Sequence, residues 1–155
     1  MCVGIALAQS ELALEFIEGN GLDKRLHDRG GEKEFRFLYR DARRVLPVWH
    51  EGQLRLVRWG CRRRESTVLP STGWAWLSSI EEGKWSAWSA EPVEIPAMMG
   101  LENGVWFKIQ QGIQGVLVHD EKNAPVVYMI CEPATHYYQI MTRSKRMPAL
   151  IGERI

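Results

Sequence analysis

The chain has no apolar run approaching the roughly 18–20 residues that a membrane-spanning helix needs, so no membrane partner is expected. Its three cysteines, Cys2, Cys61 and Cys131, are odd in number and nowhere spaced C-x-x-C, which argues against a disulfide framework and a structural zinc site. His27, His50, His119 and His136 have no metal-ligand spacing, so neither a metal nor a cofactor is expected. There is no G-K-[ST] phosphate loop, and Gly19-Asn20-Gly21 is too short for a dinucleotide fingerprint. Internal repeats and low-complexity segments are missing. Charge of one sign is not in excess either: 20 Lys plus Arg stand against 19 Asp plus Glu, so any polyanion site must be a local patch. Met1 to Ala8 lacks the basic n-region of a secretory leader and runs into Glu11 and Glu15, which predicts a cytoplasmic protein.

What is present fits one domain over residues 1–155, 45% apolar and of ordinary domain length. Seven tryptophans, at 49, 59, 74, 76, 85, 88 and 106, are unusual for this length. They belong to the core unless Trp74, Trp76, Trp85 or Trp88 forms a platform on which unpaired bases stack.

Ser10 as N-cap, the pairs Leu12/Phe16 and Ala13/Ile17, and Gly19 as a stop predict a helix over 10–18. Residues 20–33, rich in glycine and charge, read as a loop with at most one helical turn. Strands follow at 34–39, 45–49 and 53–59. The stretch 62–92 is the least periodic, with a turn at 70–73 and a short helix near 77–82. Strand signals return at 105–109, 115–118 and 126–131, the last two joined by a turn at 120–123. Thr135 to Thr142 reads as a helix that Pro148 keeps from passing Met147. The sum is an α+β domain, β-rich, with a curled antiparallel sheet or open barrel and a few short helices.

Cys2 bears chemistry by position. Removal of the initiator Met would leave an amine and a thiol on one residue, with ordinary pKa values of about 7.7–8.0 and about 8.5. Such a 1,2-aminothiol condenses with an aldehyde to a Schiff base and closes to a thiazolidine; the plain alternative is a small buried cysteine behind a retained Met1. Glu102 is the carboxylate in the apolar run from Ile95 to Leu101, either an acid/base group or a turn residue before Asn103-Gly104. Basic residues gather at Arg40/Arg43/Arg44, Arg62-Arg63-Arg64 and Arg143/Lys145/Arg146. Together they would make a phosphate-tracking groove, and separately three solvated faces.

Four elements in order resemble the SRAP family, the SOS response-associated peptidases and abasic-site shields. They are Met1-Cys2 with Val3-Gly4-Ile5-Ala6, Trp59-Gly60, Ile95-Pro96-Ala97 with Glu102 at the offset of I-P-A-x-G-x-x-E-W, and Arg146-Met147-Pro148 matching H-x-R-M-P. Glu132-Pro133-Ala134 precedes the last of these. The resemblance implies a β-rich fold with a mature N-terminal cysteine in a basic cleft for single-stranded DNA. It implies capture of the ring-opened abasic aldehyde as a thiazolidine crosslink, and a peptidase activity that releases the leading methionine. By position, Cys2 would be the nucleophile and Glu102 the acid/base group. Arg63, Arg64 and Arg146 would be the DNA contacts, in a monomer. The chain departs from the pattern at four places: the asparagine of N-A-R-x-E has no counterpart, Gly4 stands for an arginine, Asn103 for the tryptophan after the glutamate, and Ser144 for the histidine. His136, on the expected helix, offers another proton source. Two further readings stay open: a non-catalytic nucleic-acid-binding module on the same fold, and a hydrolase with an N-terminal cysteine nucleophile.

Overall fold

The computed structural model describes all residues, 1–155, and shows a β-rich α+β fold. Five strands form one antiparallel sheet: β1 (Gly4–Ala8), β2 (Leu26–Arg29), β3 (Glu32–Leu38), β8 (Met99–Glu102) and β9 (Val105–Lys108), ordered β2-β3-β1-β8-β9. A second set is β4 (Val45–His50), β5 (Gln53–Trp59), β7 (Glu91–Pro96), β10 (Gly112–His119) and β11 (Pro125–Pro133). Its order β10-β7-β4-β5-β11 closes because β10 and β11 also pair, so the expected open barrel is a closed one. The short strands β6 (Trp74–Trp76) and β12 (Arg146–Pro148) extend β11, and β11 runs parallel to β5 and β6. The helices are α1 (Leu14–Gly19), α2 (Leu77–Glu81) and α3 (His136–Thr142), none long and apolar enough to cross a membrane.

One apolar cluster joins the inner face of the sheet, with Ile5, Phe35, Phe37 and Phe107, to the barrel residues Leu46, Val48, Ile95, Val127 and Met129. A second cluster, with Val126, Tyr128, Ile130 and Trp85, lies on the other face of β11. Because both of its faces are covered, β11 reads as a continuous apolar run instead of an alternating one.

Several elements differ from the sequence expectation. Ser10 caps nothing: a 3₁₀ turn over Gln9–Glu11 is followed by extended Leu12 and Ala13, and α1 starts at Leu14. The loop expected over 20–33 contains a 3₁₀ turn and the β2–β3 hairpin, closed at Gly30-Gly31. Strands β1, β6, β7, β8 and β12 add to those expected. α3 ends at Arg143, which has φ 61°, before Pro148 can act, and Pro148 belongs to β12.

Trp59-Gly60 has a local physical reason. The Trp59 side chain is fully buried, its indole N–H donates to the Gly73 carbonyl at 2.9 Å, and Tyr39 and Trp74 pack on its ring. Gly60 then turns the chain at φ 62°, where an added Cβ would sit 2.2 Å from the Thr72 carbonyl oxygen. Backbone has to move to admit it. Gly60→Ala should therefore cost about 3 kcal/mol, combining a left-handed conformation with a main-chain overlap. Urea unfolding would measure the loss, and an unchanged midpoint would show that the 60–73 approach is not held in solution.

Candidate functional site

The site is built where the chain starts. Val3 is fixed between two strands, its N–H donating to the Leu101 carbonyl at 2.8 Å and its carbonyl accepting from the Tyr39 N–H at 3.0 Å. This leaves Cys2 at the top of the sheet, where its carbonyl accepts from the Trp74 indole at 3.0 Å. The Cys2 thiol is 1% exposed and donates to the Gly4 carbonyl at 3.3 Å. Burial above all pushes the Cys2 thiol up to about 12, so it holds its proton at neutral pH.

Glu102 arrives from the neighbouring strand. Alternation along β8 sends Leu101 to the outer face and Glu102 inward, where it is 2% exposed. The two-residue turn Asn103-Gly104, with φ of 48° and 77°, returns the chain into β9 directly behind it. Glu102 thus precedes a turn, as one of its two readings has it, and its side chain lies in an apolar interior. Its Oε1 lies 2.6 Å from the Met1 α-ammonium and accepts from the Tyr138 hydroxyl at 3.3 Å. The ammonium also donates to Ser144 Oγ at 3.0 Å, and Ser144 Oγ donates onward to the Arg146 carbonyl at 2.9 Å. Ser144 is thus hydrogen-bonded on both sides and carries no group that titrates near neutrality.

Arg146 stands at the rim. Its guanidinium lies 4.8 Å above the Trp76 ring, and Nη1 is 3.4 Å from the Met1 sulfur. Cys131, paired across the sheet with Trp76 and Pro148, is pushed up to about 11 by burial, with Arg146 and the chain's amine pulling the other way. Asn103 keeps the parts together, for its Nδ2 donates to the Thr142 carbonyl at 2.8 Å and ties the β8–β9 turn to the end of α3.

Cys2, Glu102 and Arg146 are therefore brought together around Met1. Arg63 and Arg64 are not among them: both are exposed on the turn after Gly60 and make no hydrogen bond or ion pair. Their neighbours do structural work. Arg44 is buried and donates to Trp59 O, Gly60 O and the Glu65 carboxylate; Arg62 donates to Tyr39 O and Asp41 O. Burial opposes the Glu65 charge, yet the bonds from Arg44 and the Arg62 N–H hold its carboxyl below the usual range. His136 is exposed at the start of α3. The residue turned toward Glu102 is Tyr138, whose phenol is driven well above its ordinary range by burial first and then by Cys2 and Glu102. Its signal was the N-cap: Thr135 accepts from the Tyr138 N–H at 3.2 Å, and that phase turns Tyr138 inward and Tyr137 and Ile140 outward. Of the proposed platform, Trp85 and Trp88 pack with Tyr128 at the second core, and Trp74 and Trp76 flank the site.

No family model, curated protein or solved structure matches the chain.

The thiols make the fold alkali-sensitive. Native Cys2 and Cys131 keep protons that unfolded thiols release around their ordinary value of about 8.5. Their contribution is complete below about pH 8.5 and is lost as pH climbs through about 11 for Cys131 and about 12 for Cys2. Urea midpoints measured from pH 8 to 10.5 should fall, and Cys2→Ala should flatten part of the slope. A midpoint independent of pH would mean that the thiols ionise freely in the folded protein.

Proposed function

We propose that the chain binds single-stranded DNA and captures abasic sites covalently through Cys2 once Met1 has been removed, the activity implied by its resemblance to the SRAP family. The observation that carries this reading is the buried Glu102 carboxylate held 2.6 Å from the amine that precedes Cys2. Loss of Met1 moves the amine by one residue, onto the Cα next to the Cβ that bears the thiol, beside a carboxylate already matched to an ammonium.

In the reaction, the Cys2 amine adds to C1′ of the ring-opened sugar and water leaves, giving an imine. Sγ then adds to the imine carbon while the thiol proton passes to nitrogen, and two new bonds at C1′ close the thiazolidine. Glu102 takes the proton from the attacking ammonium and returns one to the departing hydroxyl. Tyr138 donates to the same carboxylate oxygen and fixes its direction. Arg146, laid on Trp76 at the rim, is placed to meet a phosphate or a base, with Arg63 and Arg64 as further contacts on the Gly60 turn. The departures have local substitutes: Ser144 holds the amine in place of the family histidine, and Asn103 makes the turn and the tie to α3.

A second reading, a non-catalytic binding module, is favoured by one feature. With Met1 present the amine is engaged by Glu102, and the Cys2 thiol is buried and protonated, so only the surface of Arg146 and Trp76 is available.

Intact mass decides. Protein shown to lack Met1 should gain the full mass of a single-stranded oligonucleotide carrying one abasic site, and Cys2→Ala should gain nothing. Glu102→Gln should slow adduct formation roughly 10²-fold. Ser144→His should add a titration near pH 6.5 to the rate. Binding without an adduct would establish the module reading, and release of free product with turnover would establish a hydrolase.

A further inference from the structure

The outer face of the barrel carries a row of three unlike side chains. Trp49 of β4 is paired with Glu94 of β7, and Glu94 with Gln114 of β10, so an indole, a carboxylate and an amide stand side by side on one face. All three line a cavity of about 470 Å³, within the size range of small-ligand sites. Ile130 and Ile151 add apolar wall, and Glu51, on the two-residue turn between β4 and β5, also borders it. The segment that carries Ile151 is fixed in place. Gln114 donates from its backbone N–H to the Ala149 carbonyl at 2.8 Å and from Nε2 to the Leu150 carbonyl at 3.3 Å, and the Ile151 N–H donates to the Gly112 carbonyl at 2.9 Å.

Two of these groups lack the partners that their kind takes elsewhere in the molecule. Trp49 is 45% exposed and alone among the seven tryptophans stacks with neither an aromatic ring nor a guanidinium; the other six each have such a neighbour. Glu94 is exposed and forms no ion pair or hydrogen bond, whereas the carboxylates near it are engaged. Glu91 lies 2.6 Å from His50 Nε2, and Glu51 has His50 at 3.9 Å and Arg55 at 4.0 Å. No lysine, arginine or histidine lines the cavity, in a chain whose net charge is +1. A half-exposed indole face next to an unpaired carboxylate attracts positive charge through the ring quadrupole and through the carboxylate together.

We propose that this cavity binds a small organic cation of the alkylated ammonium class, its methyl groups against the Trp49 ring and its charge facing Glu94. The site shares no residue with the one around Cys2 and does not depend on the function proposed there. A hard metal ion is a poor match, because it takes about six or more oxygen ligands and the cavity offers an indole and two isoleucines instead. An alkylated ammonium spreads its charge over carbon-bound hydrogens, so it can rest on the indole and still bury its methyl groups against Ile130 and Ile151. The Gln114 carboxamide oxygen accepts no hydrogen bond from the protein and is free to accept one from a hydroxyl on the ligand.

The test titrates choline, and separately its uncharged isostere in which carbon replaces nitrogen, into the full chain while the indole N–H resonances are recorded. The Trp49 signal is the one missing from Trp49→Phe. Choline should shift that signal with a Kd in the millimolar range, and the isostere should bind at least about fivefold more weakly. Glu94→Gln should raise the choline Kd about threefold to fivefold. Glu15→Gln, the same loss of charge at an exposed position of α1, should leave it unchanged. The other six indole signals report in each variant that the fold is kept. Equal binding of choline and the isostere, a Glu94→Gln Kd equal to that of wild type, or equal weakening by Glu94→Gln and Glu15→Gln would each overturn the cation site. A Trp49 signal that choline leaves unmoved would do so as well, and if a peptide bearing trimethyl-lysine moved it where choline did not, the cation would belong to a partner protein and not to a small ligand.

Discussion

A carboxylate that is 2% exposed cannot stand alone, because an uncompensated buried charge costs several kcal/mol. The cation that Glu102 meets is the chain's own α-ammonium, and much of the surrounding structure serves that meeting. β8 delivers the carboxylate inward, Asn103-Gly104 reverses the chain behind it, and Asn103 binds the end of α3. That contact in turn sets Tyr138 and Ser144 against the same two groups. On the proposed function, the Cys2 amine takes the place of the Met1 amine opposite Glu102, with a thiol on the neighbouring carbon.

The sequence conveyed the frame through its periodic segments. β5 lies where alternation through Leu54, Leu56 and Val57 put it, and α3 begins behind Thr135 as its pattern indicated. Elements that failed to show had physical reasons. β6 is three residues long and is specified by its parallel partner β11, an interaction no local window contains. β7, Glu91–Pro96, carries two prolines and alternates over only a few positions, so its identity comes from pairing with β10 and β4. The β8–β9 hairpin did have a local signal in Asn-Gly, the strongest short-range turn dipeptide, partly hidden because β8 precedes it with only four residues. At the site, Cys2 was visible by its position behind Met1 and Glu102 as a carboxylate in apolar company. For Tyr138 the Thr135 cap signals only an inward position, since an inward tyrosine on a short helix looks like core until its hydroxyl is found on a carboxylate.

Arginine clusters carried the least information. The residues of Arg40/Arg43/Arg44 separate on folding: Arg44 is buried against the Trp59-Gly60 carbonyls, whereas Arg40 faces a cavity. In Arg62-Arg63-Arg64 only Arg62 turns back toward the sheet, bonding Tyr39 and Asp41 carbonyls. A guanidinium has five donors, so an arginine near a turn is readily taken up by orphan carbonyls, and adjacency in sequence says nothing about which member stays free. Conversely Arg29 and Arg36, seven residues apart and unremarkable in sequence, meet on Trp106 because β2 and β3 are one hairpin.

The two faces of the five-stranded sheet are built from the same strands. Pleating sends Glu102 inward and Leu101 outward on β8, and it sends Gly4 and Ala6 outward on β1 while Ile5 enters the core. Val3 lies at the edge of both, one residue from Cys2, and borders an outer cavity of about 320 Å³ with Leu38, Tyr39, Arg40 and Arg62. An arginine at position 4 would project into that cavity, where even a Cβ would sit 2.4 Å from Leu38 Cδ2. Gly4 lets Leu38 close over β1 and leaves the cations of this cavity to Arg40 and Arg62.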